Sequence, residues 1–220
     1  EGISDGTDLT SCNKKYQGGN QQKFLEKWQQ ELKQQPPAGS LIEQARFQNR
    51  PNRVLILDAC TPTPDQDSGS LRMLNLMQIF NELGHQVSFI PENMAHFEQF
   101  TVNLQQLGIE CVYAPKYHTP IEYLKTKGEV FDLVILSRYY VAQPVLSAIQ
   151  SYYPNAQIWF DTVDLHYLRE HRMAEVAGDE SLIRAAGKTQ QQELAVAKAC
   201  DLTLVVSPYE QSVLAEEMPE

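Results

Sequence analysis

The sequence predicts an α/β protein, a doubly wound, mostly parallel sheet with helices on both faces, preceded by an N-terminal helical extension. Three observations predict it. From Arg53 onward, short continuous aliphatic runs alternate with stretches of helical periodicity, the pattern of strands buried on both faces. A Leu-Gly helix stop followed by a strand and then a proline occurs twice, Leu83-Gly84 to Pro91 and Leu107-Gly108 to Pro115, which marks one supersecondary unit used twice. With 220 residues, 42% of them hydrophobic, the chain can fill one core and still carry additional sequence.

Residues 1 to 20, rich in Gly, Ser, Asp and Asn, are expected to be irregular or loosely docked. From Gln21 to Gln35, Phe24, Leu25, Trp28 and Leu32 share one helical face, and Pro36-Pro37 stops that helix. Ser40 and Glu43 have capping-box spacing for a short helix ending before Pro51. Residues 1–50 thus form an extension or interdomain tail whose apolar face is expected to pack on something rather than stand in water.

Residues 51–220 form the sheet domain. Its first strand is Arg53 to Asp58, then a loop and a helix with Leu71, Leu74, Met77, Phe80 and Leu83 on one side, closed by Gly84. Gln86 to Ile90 is the second strand. A helix through Phe97, Phe100, Leu104 and Leu107 ends at Gly108, and the third strand is Ile109 to Tyr113. After a weaker helical stretch at Ile121 to Lys125 come a fourth strand, Leu133 to Leu136, a helix from Gln143 to Tyr152, and a fifth strand, Gln157 to Phe160. A long helical region runs from Leu165 to Ala199 with a break at Gly178-Asp179. Leu202 to Val206 is the sixth strand, and Ser207-Pro208 opens the closing helix. Six such units make a Rossmann-like sheet.

Composition narrows the function. Lys and Arg number 18 against 28 Asp and Glu; the first 50 residues hold 7 basic and 6 acidic groups, the remainder 11 and 22. The acidic part repels a phosphate backbone, so nucleic acid is not an expected partner. The longest aliphatic stretches fall far short of the roughly 20 apolar residues that span a bilayer, so no membrane segment is expected. Cys12, Cys60, Cys111 and Cys200 share no C-x-x-C spacing, which speaks against a disulfide scaffold or a zinc module and for a reducing, cytoplasmic setting. A chain that opens on Glu1 without an initiator Met is expected to begin at either a processing scar or an internal cut, and its end at Ala-Glu-Glu-Met-Pro-Glu looks equally arbitrary.

In a doubly wound sheet, ligands bind outside the carboxyl ends of the strands, where strand order reverses. That rule selects three loops: Asp58 to Ser70, Ser137 to Tyr140, and Asp161 to Arg172. In the first, Ser68-Gly69-Ser70 opens a helix whose free amides suit a phosphate or carboxylate, with Arg72 one turn in; equally, Asp67 or Ser68 serves only as its cap. No Gly-Lys-Ser/Thr follows, and the three-glycine dinucleotide fingerprint is absent. Asp65-Gln66-Asp67 has the spacing of a divalent-cation pair but reads as turn composition, so no metal is expected. The third loop is the richest: Asp161, Asp164, His166, Arg169, His171 and Arg172 lie within one strand end and one helix start. A carboxylate beside His166 can orient it as a general base; the plainer account has Asp164 capping the helix and both histidines on its wet face. Haloacid-type phosphatase and zincin readings fail on spacing, and a receiver domain is disfavoured because the third strand ends in Ala114-Pro115 with no Asp to phosphorylate.

With those loops placed, residues 53–220 resemble the N-terminal half of a GT-B fold, group 1 type glycosyltransferase of bacterial glycan assembly. The likeness is carried by Pro64-Asp65-Gln66-Asp67-Ser68-Gly69-Ser70-Leu71-Arg72, Leu83-Gly84-His85-Gln86-Val87, Phe131-Asp132, Leu136-Ser137-Arg138, Phe160-Asp161-Thr162-Val163-Asp164-Leu165-His166 and Val205-Val206-Ser207-Pro208-Tyr209-Glu210. The opening (Gly6-Thr7-Asp8, Lys15-Tyr16-Gln17, Asn20, Phe24 to Trp28) resembles the tail of a group 2, GT-A fold glycosyltransferase domain.

The resemblance implies a domain that holds a glycan or lipid-linked acceptor while a second, C-terminal domain grips a nucleotide-diphosphate sugar; no covalently bound cofactor is implied. Asp164 and His166 take the catalytic positions. Ser68, Gly69, Ser70, Arg72, Arg138, Asp161 and Glu210 take the substrate-binding ones. The first loop carries one glycine where the family has adjacent glycines, and the donor domain's paired glutamates are absent, so the 220-residue chain is expected to transfer no sugar by itself. The rival expectations are a non-catalytic module that binds glycan or a partner domain, and a phosphate-ester or metal-dependent hydrolase at the Asp161 cluster.

Overall fold

A computed structural model describes residues 16–37, 39, 52–127 and 130–218. The chain divides into two units, Glu1–Pro51 and Asn52–Glu220. The described part of the first unit holds α1 (Gln17–Lys27) and α2 (Gln29–Lys33). Helix begins at Gln17, earlier than expected, and is interrupted at Trp28, whose backbone leaves the helical region. Phe24, Leu25 and Trp28 are exposed. The helix expected after Ser40 lies outside the described residues.

In the second unit the order is β1 (Arg53–Asp58), α3 (Ser68–Glu82), β2 (Gln86–Pro91), α4 (Glu98–Gln106), β3 (Glu110–Cys111), α5 (Pro120–Lys127), β4 (Leu133–Ser137), α6 (Tyr139–Ala142), α7 (Leu146–Tyr152), β5 (Gln157–Asp161), α8 (His166–Ala177), α9 (Glu180–Ala199), β6 (Leu202–Leu204) and α10 (Pro208–Glu217). The six strands run parallel in the order β3-β2-β1-β4-β5-β6. Chain direction across the sheet therefore reverses between β1 and β4, and that crevice is the switch point of a Rossmann-like fold.

Period-two alternation in β1 explains why both faces are apolar. Leu55 and Leu57 join Leu136, Phe160 and Ile149 on one face, while Val54 and Ile56 join Met73, Met77, Phe89 and Ile135 on the other. Each such side chain, fully buried, is worth about 1.5–3 kcal/mol. Leu165, Tyr167 and Leu214 form a smaller cluster under α8 and α10.

Three expectations are corrected. Of the face expected for α3, Met77 is buried and Leu74 and Phe80 pack partly against the core, but Leu71 and Leu83 are exposed, and Ser70 and Met73 complete the buried face at i, i+3 and i+7. The helix expected from Gln143 starts only at Leu146, as α7, and a separate turn of helix, α6, precedes it, because Pro144 lacks the amide to continue a helix and clashes with the carbonyl four residues back. The sixth strand stops at Leu204, since the Val206 amide is taken by Glu210 Oε2 at 3.1 Å. Among the described residues no helix is long and apolar enough to cross a membrane.

Candidate functional site

The carboxyl ends of β1, β4 and β5 each deliver a polar residue straight out of an aliphatic run. Asp58 closes β1 and is buried; its Oδ1 accepts from the Ala59 amide at 2.7 Å and from Arg138 Nε at 2.9 Å. Burial pushes the Asp58 carboxyl above its usual range, and the Arg138 guanidinium pulls part of the way back. Ser137 closes β4, and Arg138 follows in a left-handed conformation at φ 69°.

Asp161 closes β5 at 0% exposure. Arg72 Nη1 donates to both of its oxygens, at 2.7 and 2.6 Å, and Ser137 Oγ and the Val163 amide lie at 3.3 and 3.4 Å. A buried carboxylate survives only when paired and hydrogen-bonded in this way. Asp161 is therefore a framework anion: a ligand would have to displace Arg72 to reach it.

The first and third loops meet. A Cβ added at Gly69 would lie 3.2 Å from Val163 Cγ1, 3.2 Å from Asp67 Oδ1 and 3.6 Å from Arg138 Nη2. A side chain at position 69 would therefore press on Val163 and Asp67, which would have to give by a few tenths of an ångström. Val163 itself stands at φ 65°, a conformation a β-branched residue adopts only under compulsion. Of the two roles open to the Ser68-Gly69-Ser70 turn, the cap is filled from within: Asp67 Oδ1 accepts from the Ser70 amide at 2.8 Å, and Asp67 Oδ2 from Ser70 Oγ at 2.6 Å. Those bonds hold the Asp67 carboxyl below its usual range. An anion approaching this helix start meets a carboxylate already there.

The third loop continues into α8, and the capping there differs from both sequence readings. Asp164 does not cap the helix; its carboxylate pairs with Arg169. The first helical amides go instead to carboxylates from elsewhere: His166 and Tyr167 donate to Glu193 of α9 at 3.3 and 3.2 Å, and Leu165 donates to Glu210 Oε1 at 3.2 Å. Both Glu210 oxygens are thereby occupied by amides, Leu165 and Val206, so Glu210 shapes the loop from beneath.

His166 is 5% exposed and sits edge-on between Tyr139 and Tyr140, with ring centroids at 5.5 and 5.6 Å. Its Nδ1 lies 3.0 Å from the Asp164 carbonyl oxygen and 3.4 Å from Glu193 Oε1. A carbonyl oxygen only accepts, which assigns a proton to Nδ1. The group that orients the ring is therefore the Asp164 main chain, backed by Glu193, and the Asp164 carboxylate is secondary at 3.6 Å.

The structure thus gathers Gly69, Ser70, Arg72, Arg138, Asp161 and Val163 at the switch point, with Ser68 exposed beside them. The tyrosines directly after Arg138 link His166 to that group. Asp164 and Glu210 line a neighbouring cavity of about 380 Å³ together with Arg169, Arg172, Ser207 and Tyr209, where the Arg172 guanidinium lies over the Tyr209 ring at 5.5 Å.

Sequence reasoning missed Asp58, Tyr139, Tyr140 and Glu193. Glu193 had a signal: on α9 it falls in the buried row Ala186, Thr189, Glu193, Val196, Ala197, an acid inside the apolar stripe. Comparison with protein-family models, with curated proteins and with solved structures gives no match.

Proposed function

We propose that the second unit is the acceptor-side domain of a nucleotide-sugar-dependent glycosyltransferase, holding a glycan or lipid-linked acceptor at the β1/β4 switch point. One observation carries the reading: the charges of the rim are compensated within the protein. Arg138 is taken by Asp58, Arg72 by Asp161, and the α3 helix start by Asp67. Such a rim suits neutral hydroxyl groups and disfavours a diphosphate, which needs unpaired cations or free helix amides. The donor's diphosphate is then gripped by a second domain facing this one, and the chain by itself transfers no sugar.

In the complete reaction an acceptor oxygen bonds to the anomeric carbon. The bond to the nucleotide diphosphate breaks, and the diphosphate leaves with the electron pair. The proton of the acceptor hydroxyl departs to a base, and His166 Nε2 is the group this chain offers, oriented through Nδ1. A cytoplasmic setting, where nucleotide sugars and reduced thiols coexist, fits the unpaired Cys60, Cys111 and Cys200.

The test compares transfer with binding. In a chain that carries both domains, His166→Ala should lower the transfer rate while leaving donor affinity unchanged, and Asp164→Asn, which keeps the main-chain carbonyl that orients the ring, should lower it less. Unaltered rates in both variants, or turnover by the 220-residue chain alone, would contradict the proposal. The same internal pairing also suits a non-catalytic module that binds glycan or a partner domain. That second reading predicts glycan binding with no transfer even when a donor domain is present.

A further inference from the structure

Beside the switch point, on the other side of β1, the loops after β1 and β2 enclose a cavity of about 330 Å³ lined by Cys60, Thr61, Thr63, Gln66, Asn93, Ala95 and Phe97. This is the small end of the range for ligand sites, about 300–1,000 Å³. None of these lining residues is charged. Thr61 is 3% exposed, yet its hydroxyl bonds to no other described residue and is not sealed within the core. Its hydroxyl therefore meets the cavity rather than the core, where a ligand can bond it in place of water.

Of the other lining groups, Thr63 Oγ1 already donates to Asp67 Oδ2 at 3.4 Å and keeps its lone pairs to accept. Asn93 Oδ1 accepts from the Ala95 amide at 3.0 Å, which points its NH2 elsewhere as a donor, and the Gln66 side chain is free of described partners. Phe97 is exposed but not loose: its ring stacks on Phe100 at 5.5 Å with the planes 14° apart, and its amide is held by Thr101 Oγ1 at 2.8 Å. The loop that presents Asn93 and Phe97 is bracketed by two non-glycine residues in left-handed conformations, Met94 at φ 52° and Glu98 at φ 38°. Backbone strain of this kind is held in place by surrounding structure and collects where a loop must present its side chains in a set direction.

We infer that this cavity is a subsite for one neutral, polyhydroxylated ring, a sugar residue, with two threonine hydroxyls and two side-chain amides meeting its hydroxyls and Phe97 meeting its apolar face. The absence of lining charge excludes phosphorylated and carboxylated sugars as preferred occupants, and a flat nucleobase would leave most of the four polar side chains unmet. Because the β1–α3 loop runs from this cavity to Gly69, the two places can hold neighbouring units of one chain. The inference that the acceptor is an oligosaccharide rests on the acceptor reading above; the sugar subsite itself does not.

Cys60 supplies the reporter. Its thiol is exposed on the cavity wall, whereas Cys111 and Cys200 are pushed up to about 12 by burial and serve as slow internal references. Burial and Asp58 also push the Cys60 thiol up, so alkylation by iodoacetamide is followed at mildly alkaline pH on the whole chain, site by site by mass spectrometry. Saturating maltose, cellobiose or lactose should slow Cys60 modification about threefold or more, as occupancy of two-thirds requires. Glucose 1-phosphate and uridine should not. Thr61→Val, which keeps the shape and removes the hydroxyl, and Gln66→Ala should each abolish the protection with the unfolding midpoint unchanged.

No protection by any of the three disaccharides would overturn the subsite. So would equal protection by uridine, or protection that persists in both variants. Amide shifts at Gly69 and Val163 in the same titration report the switch point separately. Shifts there without Cys60 protection end the subsite and keep the acceptor reading; protection without those shifts keeps the subsite and ends the acceptor reading.

Discussion

The two edges of the sheet solve the same geometric problem with different residues. Where α3 and α4 stop before β2 and β3, at the amino edge, the left-handed positions are Gly84 and Gly108, at φ 85° and 82°. Tying there is simple: Asp132 Oδ2 accepts from the Arg53 amide and Asp201 Oδ2 from the Ile158 amide, each at 2.7 Å. At the carboxyl edge the left-handed positions are Met94, Glu98, Arg138 and Val163. No other non-glycine residue among those described has a positive φ. Such positions cost roughly 1–3 kcal/mol each. One edge is built for stability, and the other spends stability to keep particular side chains at particular places, which is how binding rims are made.

The largest expected effect probes the buried pairs that hold the carboxyl edge together. Arg72→Ala strands the fully buried Asp161 and should lower unfolding stability by about 3–5 kcal/mol in urea titrations. A loss under about 1 kcal/mol would mean that Ser137 and the Val163 amide hold Asp161 without Arg72.

Exchanging the strategies of the two edges comes next. Gly84→Ala meets open space but not an allowed backbone, and should cost about 1–2 kcal/mol. Val163→Gly, the reverse change at the other edge, should leave stability unchanged or raise it by up to about 1 kcal/mol. If both variants are destabilised alike, the two edges do not differ in strain.

Removing the cap of α3 by Asp67→Ala should cost about 1 kcal/mol near neutral pH. Ser70 holds the Asp67 carboxyl below its usual range, so the stabilisation is present above about pH 4 and is lost as the pH falls through the depressed value. The gap between wild type and variant should close in that acid window; a gap independent of pH would assign the loss to packing instead.

The smallest effect is a coupling. Gly69→Ala adds helix propensity but crowds Val163, so it should be neutral or destabilising in the wild type and stabilising in the Val163→Ala background. The coupling energy should be about 0.5–1 kcal/mol. Additive changes would show that the two turns do not press on each other.

Much of the amino edge was legible in the sequence because its signals are local. The run Val-Leu-Ile-Leu before Asp58 is a buried strand on its face, and Leu-Gly before each next strand is a helix stop. At the carboxyl edge the strand ends and the Asp161 to Arg172 loop could be selected by topology, but the partners could not be read. Glu193 reaches the start of α8 from 27 positions along the chain, and Arg72 reaches Asp161 across 89. Glu210 was chosen for its place on the rim, whereas its carboxylate works beneath the surface on two amides. The face of α3 was misread at its two ends, because Leu71 and Leu83 are more apolar than Ser70 yet stand exposed while Ser70 is buried. Such pairings are properties of packed surfaces: periodicity along α9 shows that Glu193 is buried, but not which amides it meets.

The most direct test of the central claim is a titration of the ¹⁵N-labelled chain, first with neutral oligosaccharides and then with uridine and guanosine diphosphates. The acceptor reading predicts that saccharides shift the amides of Gly69, Arg138 and Val163 and leave Gly84 and Gly108 still, while the nucleotides move none of them. Nucleotide diphosphates shifting the rim where saccharides do not, or saccharide shifts confined to the amino edge, would contradict it.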